Sequence, residues 1–286
     1  MVYSLQGNSI KIPVKAELEG HVGNLTFDNE LGQRVLVAHN DRFRSISRIE
    51  DLNPYKEGQS VSFSNVPIAL SYAQIIGQLA EEAPDFAGLR VLRLRDKVKY
   101  WHYIPDKGTT YADTSEVAIF PNEGPNEELR RQALEDILKI RKTSEPLIVS
   151  GLVPVPSSNI PCGFEFDKEK SKPVVDEDYS YLLRKDGFVR YNPETEKIEL
   201  CKEGDEDSIR LYVPDFQSGL RRLYRDRDEL YSRGGYLLGS DGIGRVQLVQ
   251  EPKALAKNFE ALLNAHFAEM QERFRKASEY LRTGKL

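Results

Sequence analysis

The chain has 286 residues, which is long enough for one large domain or two ordinary ones with buried cores. Its 40 basic and 45 acidic side chains give a net charge of −5. This balance excludes a protein covered over its whole surface by nucleic acid, because such a surface must be strongly positive. A local basic patch is compatible with the same total.

Cysteine content and hydropathy indicate a cytoplasmic protein. Cys162 and Cys201 are the only cysteines. Two thiols neither complete a structural zinc site nor resemble a disulfide framework, so we expect them to be reduced. Residues 1–20 lack the basic and apolar regions of a secretory signal, and the most apolar stretch, 146–156, is too short to span a bilayer. We expect no membrane partner.

A first domain, residues 1–153, is expected to be rich in strands and to contain two helices. Residues 9–18 alternate apolar and polar side chains, as a half-buried strand does, and 33–39 is a further candidate strand. Helical spacing of apolar residues predicts helices over 67–83 and 126–142.

The segment "KYWHYIP" (99–105) contains the single tryptophan of the chain and is predicted to be a strand. In a strand, Trp101 and Tyr103 face one side, while Tyr100 and His102 face the other. Such aromatic pairs stack bases or fill an interface, which makes Trp101 and Tyr103 candidate ligand-binding residues. The alternative is that one side of the strand belongs to the core.

Composition changes after residue 153. Residues 154–178 are rich in Pro, Ser and charge, which is typical of a linker or a long surface loop. Residues 179–286 then form a second predicted domain, beginning with a β-meander over 179–200. Strands and helices do not alternate regularly, so the fold class expected is α+β with mostly antiparallel sheets and a long C-terminal helix.

The stretch "GLRRLYRDRDELYSRGG" (219–235) is predicted to be an arginine-rich helix from about residue 216 to 231. Across 221–233, five arginines against three acids leave a surplus of two positive charges. A solvated helix face explains this composition, and so does a contact with an anion or nucleic acid. The candidate ligand-binding residues are Arg221, Arg227, Arg233 and Tyr224.

No motif identifies a cofactor, a metal site or a catalytic residue. The glycines of "GSDGIGR" (239–245) lack the spacing of a nucleotide-binding loop and fit a hairpin instead. None of the four histidines stands at metal-ligand spacing to another histidine or a cysteine. Asp226 and Asp228, two apart on a helix, would face different directions.

Residues 252–284 are predicted to form one helix of roughly 30 residues, well above the usual length. Its apolar side chains recur at steps of three and four and make a stripe too long for one domain to cover, so the helix is expected either to lie across both predicted domains or to pair with another chain. The predicted interface residues are Phe259, Leu263, Phe267, Met270 and Phe274.

Two hypotheses of function follow. The first is a non-enzymatic interaction or scaffold protein that self-associates or docks a protein partner through the C-terminal helix. The second is a metal-dependent enzyme acting on a phosphate-bearing substrate or nucleic acid. In that hypothesis Arg221, Arg225 or Arg227 holds a phosphate, and Asp226 or Asp228, or Asp241 in the glycine-rich segment, lies near a divalent ion.

Overall fold

A computed structural model describes residues 2–5, 8–11, 21–43, 64–83, 86–104, 110–239, 244–250 and 270–271. The chain forms two compact units, one from residues 1–21, 79–89 and 250–286 and the other from 22–78 and 90–249. In the first unit, two short strands form an antiparallel hairpin in which Val2 pairs with Lys11. The candidate site lies within the second unit.

The described helices are mostly short. The α-helices are α1 (Glu30–Phe43), α2 (Val66–Glu82), α3 (Leu94–Lys99), α4 (Glu127–Arg131) and α5 (Glu177–Ser180). A π-helix, Gln132–Leu138, continues α4, and 3-10 helices cover Trp101–Tyr103 and Tyr181–Arg184. Within the described ranges, no helix combines the length and apolar character needed to cross a bilayer.

The strands are numbered in chain order. They are β1 (Val2–Leu5), β2 (Asn8–Lys11), β3 (His21–Asn24), β4 (Leu89–Val91), β5 (Tyr111–Ile119), β6 (Leu147–Ser150), β7 (Pro154–Pro156), β8 (Phe164–Phe166), β9 (Val174–Val175), β10 (Gly187–Asn192), β11 (Lys197–Cys201), β12 (Ile209–Tyr212), β13 (Leu220–Asp226), β14 (Glu229–Tyr231) and β15 (Gln247–Gln250).

Eight of these strands form the main sheet, in the order β11-β10-β12-β14-β13-β5-β6-β9. Every neighbouring pair is antiparallel except β12 and β14, which are parallel. Smaller sheets have the orders β3-β15-β4 and β7-β8. The prediction of mixed helix and sheet with mostly antiparallel strands is therefore confirmed.

An apolar cluster lies on each face of the main sheet, because alternate residues of a strand point to opposite faces. Val117 and Ile119 of β5 belong to one cluster together with the π-helix and β8. Their neighbour Ala118 belongs to the other, with Leu223, Leu230 and residues of α3.

The predicted linker is part of this packed structure. Residues 154–178 contain β7, β8 and β9, and Phe164 and Phe166 are buried in the first cluster. The main sheet combines β5 and β6 with β10 to β14, so the two predicted domains 1–153 and 179–286 share one sheet.

Two predicted helices agree with the structure, and one predicted strand does not. The helices at 67–83 and 126–142 are confirmed by α2 and by α4 with its π-helical continuation. The strand at 33–39 is wrong, because these residues lie in α1. Asn29 accepts a hydrogen bond from the Gly32 N–H at 2.9 Å and thereby caps this helix.

The strand predicted at 99–105 is also wrong. Residues 94–99 and 101–103 are helical, and Asp96 fixes the start of α3 by accepting the backbone N–H of Arg93 at 2.8 Å. Glu116 of β5 accepts the next N–H, that of Leu94, at 2.7 Å. Two carboxylates thus accept hydrogen bonds from two backbone N–H groups at the start of the helix, which the local alternation of aromatic residues did not indicate.

The predicted long C-terminal helix lies outside the described residues, apart from Met270 and Gln271, which are helical. The predicted interface residues Phe259, Leu263, Phe267 and Phe274 lie outside the described residues as well.

Candidate functional site

The arginine-rich helix predicted from about residue 216 to 231 is wrong, because this stretch forms the hairpin of β13 and β14. Asp226 pairs with Glu229, and Arg227 occupies the turn with φ +50°. The stretch resembled a helix because Arg225 breaks the alternation of apolar and polar residues that identifies a strand. In the structure Arg225 is fully buried beside Leu223 and Leu230 of the core.

The register of the sheet brings three tyrosines into one cross-strand row. Tyr212 of β12 lies opposite Tyr231 of β14, which lies opposite Tyr224 of β13. The Tyr212 and Tyr231 ring centroids are 4.9 Å apart with planes 16° from parallel, and the Tyr231 and Tyr224 centroids are 5.2 Å apart with planes at 18°. We call these three residues the tyrosine ladder.

A second row lies beside the ladder on the same face of the sheet. Arg210, Glu229 and Asp226 each lie two residues from a ladder tyrosine on the same strand, and Phe188 of β10 and Tyr111 of β5 continue this row at its two ends. We call the two rows together the ladder face. The tyrosines of the ladder are half-buried, so the face is partly open to solvent.

The ring spacing matches the distance between neighbouring strands, so the rings stand upright and stack along the sheet. Each ladder tyrosine therefore presents its edge to solvent, and both faces of Tyr231 are covered by tyrosine. A base has no uncovered ring face on Tyr231 on which to stack.

Glu229 ties the ladder together at the hydroxyl ends. The Tyr212 hydroxyl donates to one carboxylate oxygen of Glu229 at 3.0 Å, and the Tyr231 hydroxyl donates to the other. The hydrogen bond to Glu229 raises the pKa of Tyr212. The pKa of Tyr231 is raised mainly by burial and also by its hydrogen bond to Glu229.

Arginines flank the outer end of the ladder. The guanidinium carbons of Arg210 and Arg233 each lie 5.0 Å from the centroid of the Tyr212 ring, within cation–π range. Asp186 pairs with both: its Oδ2 lies 2.6 Å from Nη2 of Arg233 and 3.6 Å from Nη2 of Arg210. These three charged groups are 30–42% exposed and form a rim.

Arg222 fixes the inner end. Its guanidinium carbon lies 4.7 Å from the Tyr224 ring centroid and 5.4 Å from that of Tyr111. Two of its nitrogens donate to the two carboxylate oxygens of Asp113, each at 2.8 Å, and Ser64 donates to Asp113 at 3.0 Å. Burial lowers the pKa of Arg222, but Asp113 outweighs this effect and the net shift is upward.

A glycine at position 239 permits this arrangement. A Cβ at Gly239 would stand 2.8 Å from a terminal guanidinium nitrogen of Arg222. The loop that follows β14 can therefore lie this close to the Arg222–Asp113 pair because residue 239 has no side chain.

Buried charge also lies behind the sheet, on the opposite side of β5. Lys97 is fully buried, and burial together with Arg225 lowers the pKa of its ammonium group. Its Nζ donates to the Gln247 side chain at 3.3 Å. Glu116 is buried as well, and burial raises its pKa to about 7. Core residues enclose both groups, which places them away from the ladder face.

The structure places the predicted ligand-binding residues apart. Tyr224 belongs to the ladder, and Arg233 belongs to its rim. Trp101 is buried in the core on the other face of the sheet, whereas Tyr103 is 58% exposed on the Trp101–Tyr103 helix. A common site of Trp101 with Tyr224 is therefore not formed.

The two remaining predicted arginines, Arg221 and Arg227, take part in hydrogen bonds that involve the backbone of the hairpin. Arg221 donates to the carbonyls of Ser218 at 2.8 Å and Arg233 at 2.6 Å, and burial lowers its pKa. Arg227 is exposed in the turn, and its carbonyl accepts a hydrogen bond from Arg225.

Sequence reasoning singled out the stretch 219–235, but it did not name Arg222, Glu229 and Tyr231 as ligand-binding residues, and it missed Tyr212 and Arg210. Their signal is the cross-strand register, which needs the pairing of β12 with β14 to be known.

The described residues contain no group of three His, Cys, Asp or Glu side chains arranged to hold a metal ion. Around the ladder, three arginines (Arg210, Arg222 and Arg233) face four carboxylates, namely Asp113, Asp186, Asp226 and Glu229. The described part of the ladder face therefore lacks the positive surplus that a phosphate backbone requires.

Comparison of the chain with protein-family models, with curated proteins and with solved structures found no match.

The ladder makes a spectroscopic prediction. We expect Glu229→Gln to lower the pKa values of Tyr212 and Tyr231 toward the ordinary value of about 10, since glutamine keeps an acceptor oxygen but removes the charge. Tyrosine titration by NMR with ring-labelled tyrosine measures the two midpoints. Tyr181, which donates to the Ile198 carbonyl at 3.0 Å, is the internal control and keeps its midpoint. Unchanged midpoints for Tyr212 and Tyr231 would show that Glu229 does not hold their hydroxyls.

Proposed function

We propose that this chain is a non-enzymatic interaction protein that docks a protein partner on the ladder face. The observation that carries the proposal is the tyrosine ladder, with three stacked rings on a partly open sheet face. Tyrosine and arginine are enriched among the residues that contribute most to protein–protein binding.

Preorganisation supports this role. Strand register, the Glu229 carboxylate and the Arg222–Asp113 pair hold the rings in place before a partner arrives. A tyrosine has only two side-chain torsions to fix, so little conformational entropy is lost on docking.

The chemistry of the face favours a protein over a nucleic acid as partner. Upright rings offer edges and hydroxyl groups, and the flanking arginines are balanced by carboxylates. Edges with a mixed-charge rim suit backbone carbonyls and both signs of side chain, whereas single-stranded nucleic acid requires open ring faces and positive charge.

The C-terminal segment remains a second contact in this proposal, on the sequence alone. The apolar residues Phe259, Leu263, Phe267, Met270 and Phe274 recur at steps of three and four. A stripe of this kind suits association with another helix.

Site-specific photo-crosslinking tests the ladder proposal. A benzoylphenylalanine replaces Phe188 on the ladder face, where the ring centroid of Phe188 lies 4.8 Å from the guanidinium carbon of Arg210. Cells that express this variant are then irradiated. We expect a crosslinked adduct of discrete mass that disappears when Tyr212→Ala and Tyr231→Ala are added, because the docking rings are then gone.

The matched control carries the same photo-reactive residue at Tyr103, which is 58% exposed but lies away from the ladder. This control is expected to give no such adduct. The same adducts from both positions, or none from position 188, would contradict the proposal.

A further inference from the structure

A groove of about 280 Å³ lies beside the β6–β9 edge of the main sheet. Its surface is mostly apolar, and the apolar part is formed by Ile140, Pro146, Leu147 of β6 and Val175 of β9. An apolar protein cavity of about 150 Å³ is sufficient to bind benzene, so the groove has room for an aromatic ring together with a short alkyl chain. The lining therefore favours a small ligand with an apolar body.

The hydroxyl groups of the lining are already bonded within the protein. The Ser180 hydroxyl donates to the carbonyl of Asp176 at 2.6 Å and accepts the N–H of Ile148 at 3.0 Å. The Tyr181 hydroxyl donates to the carbonyl of Ile198 at 3.0 Å. What Tyr181 can offer a ligand is thus its ring, and the face of an aromatic ring attracts a cation that lies within about 6 Å of the centroid.

The charged side chains of the lining leave one carboxylate over. Arg184 and Glu145 pair with each other, with Nε and Oε2 3.0 Å apart. Glu177 is exposed at the groove, and its carboxylate makes no hydrogen bond or ion pair in the part of the chain that the structure describes. With one arginine and two glutamates, the lining carries a net negative charge. A ligand that matches this charge is a cation.

Basic residues close by in sequence do not line the groove. Lys139, Arg141 and Lys142 flank Ile140, but all three are exposed and lie outside the lining. Nζ of Lys139 donates to the carbonyl of Asp136 at 2.6 Å. Solvent and salt screen exposed charges outside the groove, so the lining sets the charge that a bound ligand contacts.

We propose that the groove binds a small organic amine in its ammonium form, with an apolar body of about the size of a phenethyl group. The body lies on the apolar part of the lining. The ammonium group pairs with the Glu177 carboxylate and lies beside the Tyr181 ring. The groove contains no residue of the ladder face, so this inference is independent of the function proposed above.

Titration of the full chain at pH 7 with three probes tests the proposal, with two-dimensional amide NMR as the measurement. Phenethylammonium, phenethyl alcohol and phenylpropanoate share one ring and differ in charge. We expect saturable shifts at the amides of Leu147 and Val175 with phenethylammonium. The alcohol is expected to bind about 5-fold more weakly, and the anion more weakly still, because only the ammonium group attracts the carboxylate and the ring.

Three results of this titration would overturn the proposal. One is the absence of saturable shifts at these amides up to about 10 mM phenethylammonium. Another is equal affinity for all three probes, and the last is tightest binding of the anion. Each would mean that the groove does not select a cation.

Two matched variants assign the charge to one residue. Glu177→Gln and Asp178→Asn remove the same charge from neighbouring residues of α5, both exposed, but only residue 177 lines the groove. We expect Glu177→Gln to weaken phenethylammonium binding about 5-fold and to leave phenethyl alcohol binding unchanged, whereas Asp178→Asn changes neither by more than about 2-fold. Equal weakening by both substitutions would contradict the proposal, because the attraction would then come from the acidic surface as a whole.

Discussion

Replacing Asp113 by asparagine is expected to destabilise the protein by about 3–5 kcal/mol, the cost of removing one partner from a buried ion pair. Asp113 is fully buried, and Arg222 is 8% exposed. Asparagine supplies one acceptor oxygen, but its amide group points N–H donors toward guanidinium N–H donors. The charge of Arg222 would then be left buried without a counter-charge.

Urea unfolding at pH 7 measures this effect, and Glu145→Gln provides the control. Glu145 pairs with Arg184 at 3.0 Å, but both side chains are more than half exposed, so its loss is expected to change the free energy of unfolding by less than about 1 kcal/mol. Equal effects of the two substitutions would mean that Asp113 does not stabilise the inner end of the ladder.

Glu116→Gln is expected to make the protein more stable at pH 8 by about 3 kcal/mol, and to make no difference below about pH 4.5, because burial raises the pKa of Glu116 from 4.5 to about 7 in the folded protein. The unfolded chain therefore ionises this group between pH 4.5 and 7 while the folded protein does not, and stability is lost across this window. Each pH unit between the two pKa values lowers the free energy of unfolding of the wild-type protein by about 1.4 kcal/mol.

The structural reason is the close match between glutamine and a protonated glutamate. A glutamine side chain at this position keeps an oxygen that can accept the Leu94 N–H, which the Glu116 carboxylate binds at 2.7 Å, and it does not ionise. The charged neighbours Arg93, Asp96 and Asp176 act on the ionised form of Glu116, whose pKa they modify.

Urea unfolding of wild type and variant at about pH 4.5, 6 and 8 gives the pH dependence across the window set by the two pKa values. Glu123→Gln, at an exposed position, is the control and leaves the wild-type dependence unchanged. A stability difference between Glu116→Gln and wild type that stays constant with pH would show that Glu116 is not the titrating group.

The sequence predicts the mixture of helix and mostly antiparallel sheet, and it predicts the helices with regular apolar spacing at 67–83 and 126–142. The α2 helix follows from Pro67 in its first turn and from apolar residues at helical steps, and Asn65 caps it by accepting the N–H of Ile68 at 3.0 Å. The turn at residues 192–196 is stabilised by local chemistry, because the Asn192 side chain accepts the N–H of Glu194 at 2.9 Å.

Local patterns fail where polar side chains occupy the core. Arg222 and Arg225 are buried through partners distant in sequence, Asp113 for the first and Thr110 for the second. A buried arginine removes the alternation that identifies a strand, so β13 resembles the exposed face of a helix. The nine residues of β5 are all buried, including Asp113 and Glu116, which a hydropathy pattern does not predict.

The candidate site depends on pairing that the sequence does not encode locally. Tyr212, Tyr224 and Tyr231 are separated by unequal intervals, and only the parallel pairing of β12 with β14 brings them into one row. The composition of residues 219–235 does indicate that arginine and tyrosine lie together. It does not indicate which carboxylates and carbonyls those arginines contact in the folded chain.

The most direct test of the ladder proposal is the affinity for the protein crosslinked from position 188. Calorimetric titration compares wild type with two double variants, Tyr212→Ala with Tyr231→Ala, and Tyr212→Phe with Tyr231→Phe. The proposal predicts that removing both rings weakens binding at least about 30-fold, whereas the phenylalanine variant, which keeps the rings, binds more strongly than the alanine variant. An alanine variant that folds cooperatively and binds with wild-type affinity would contradict it.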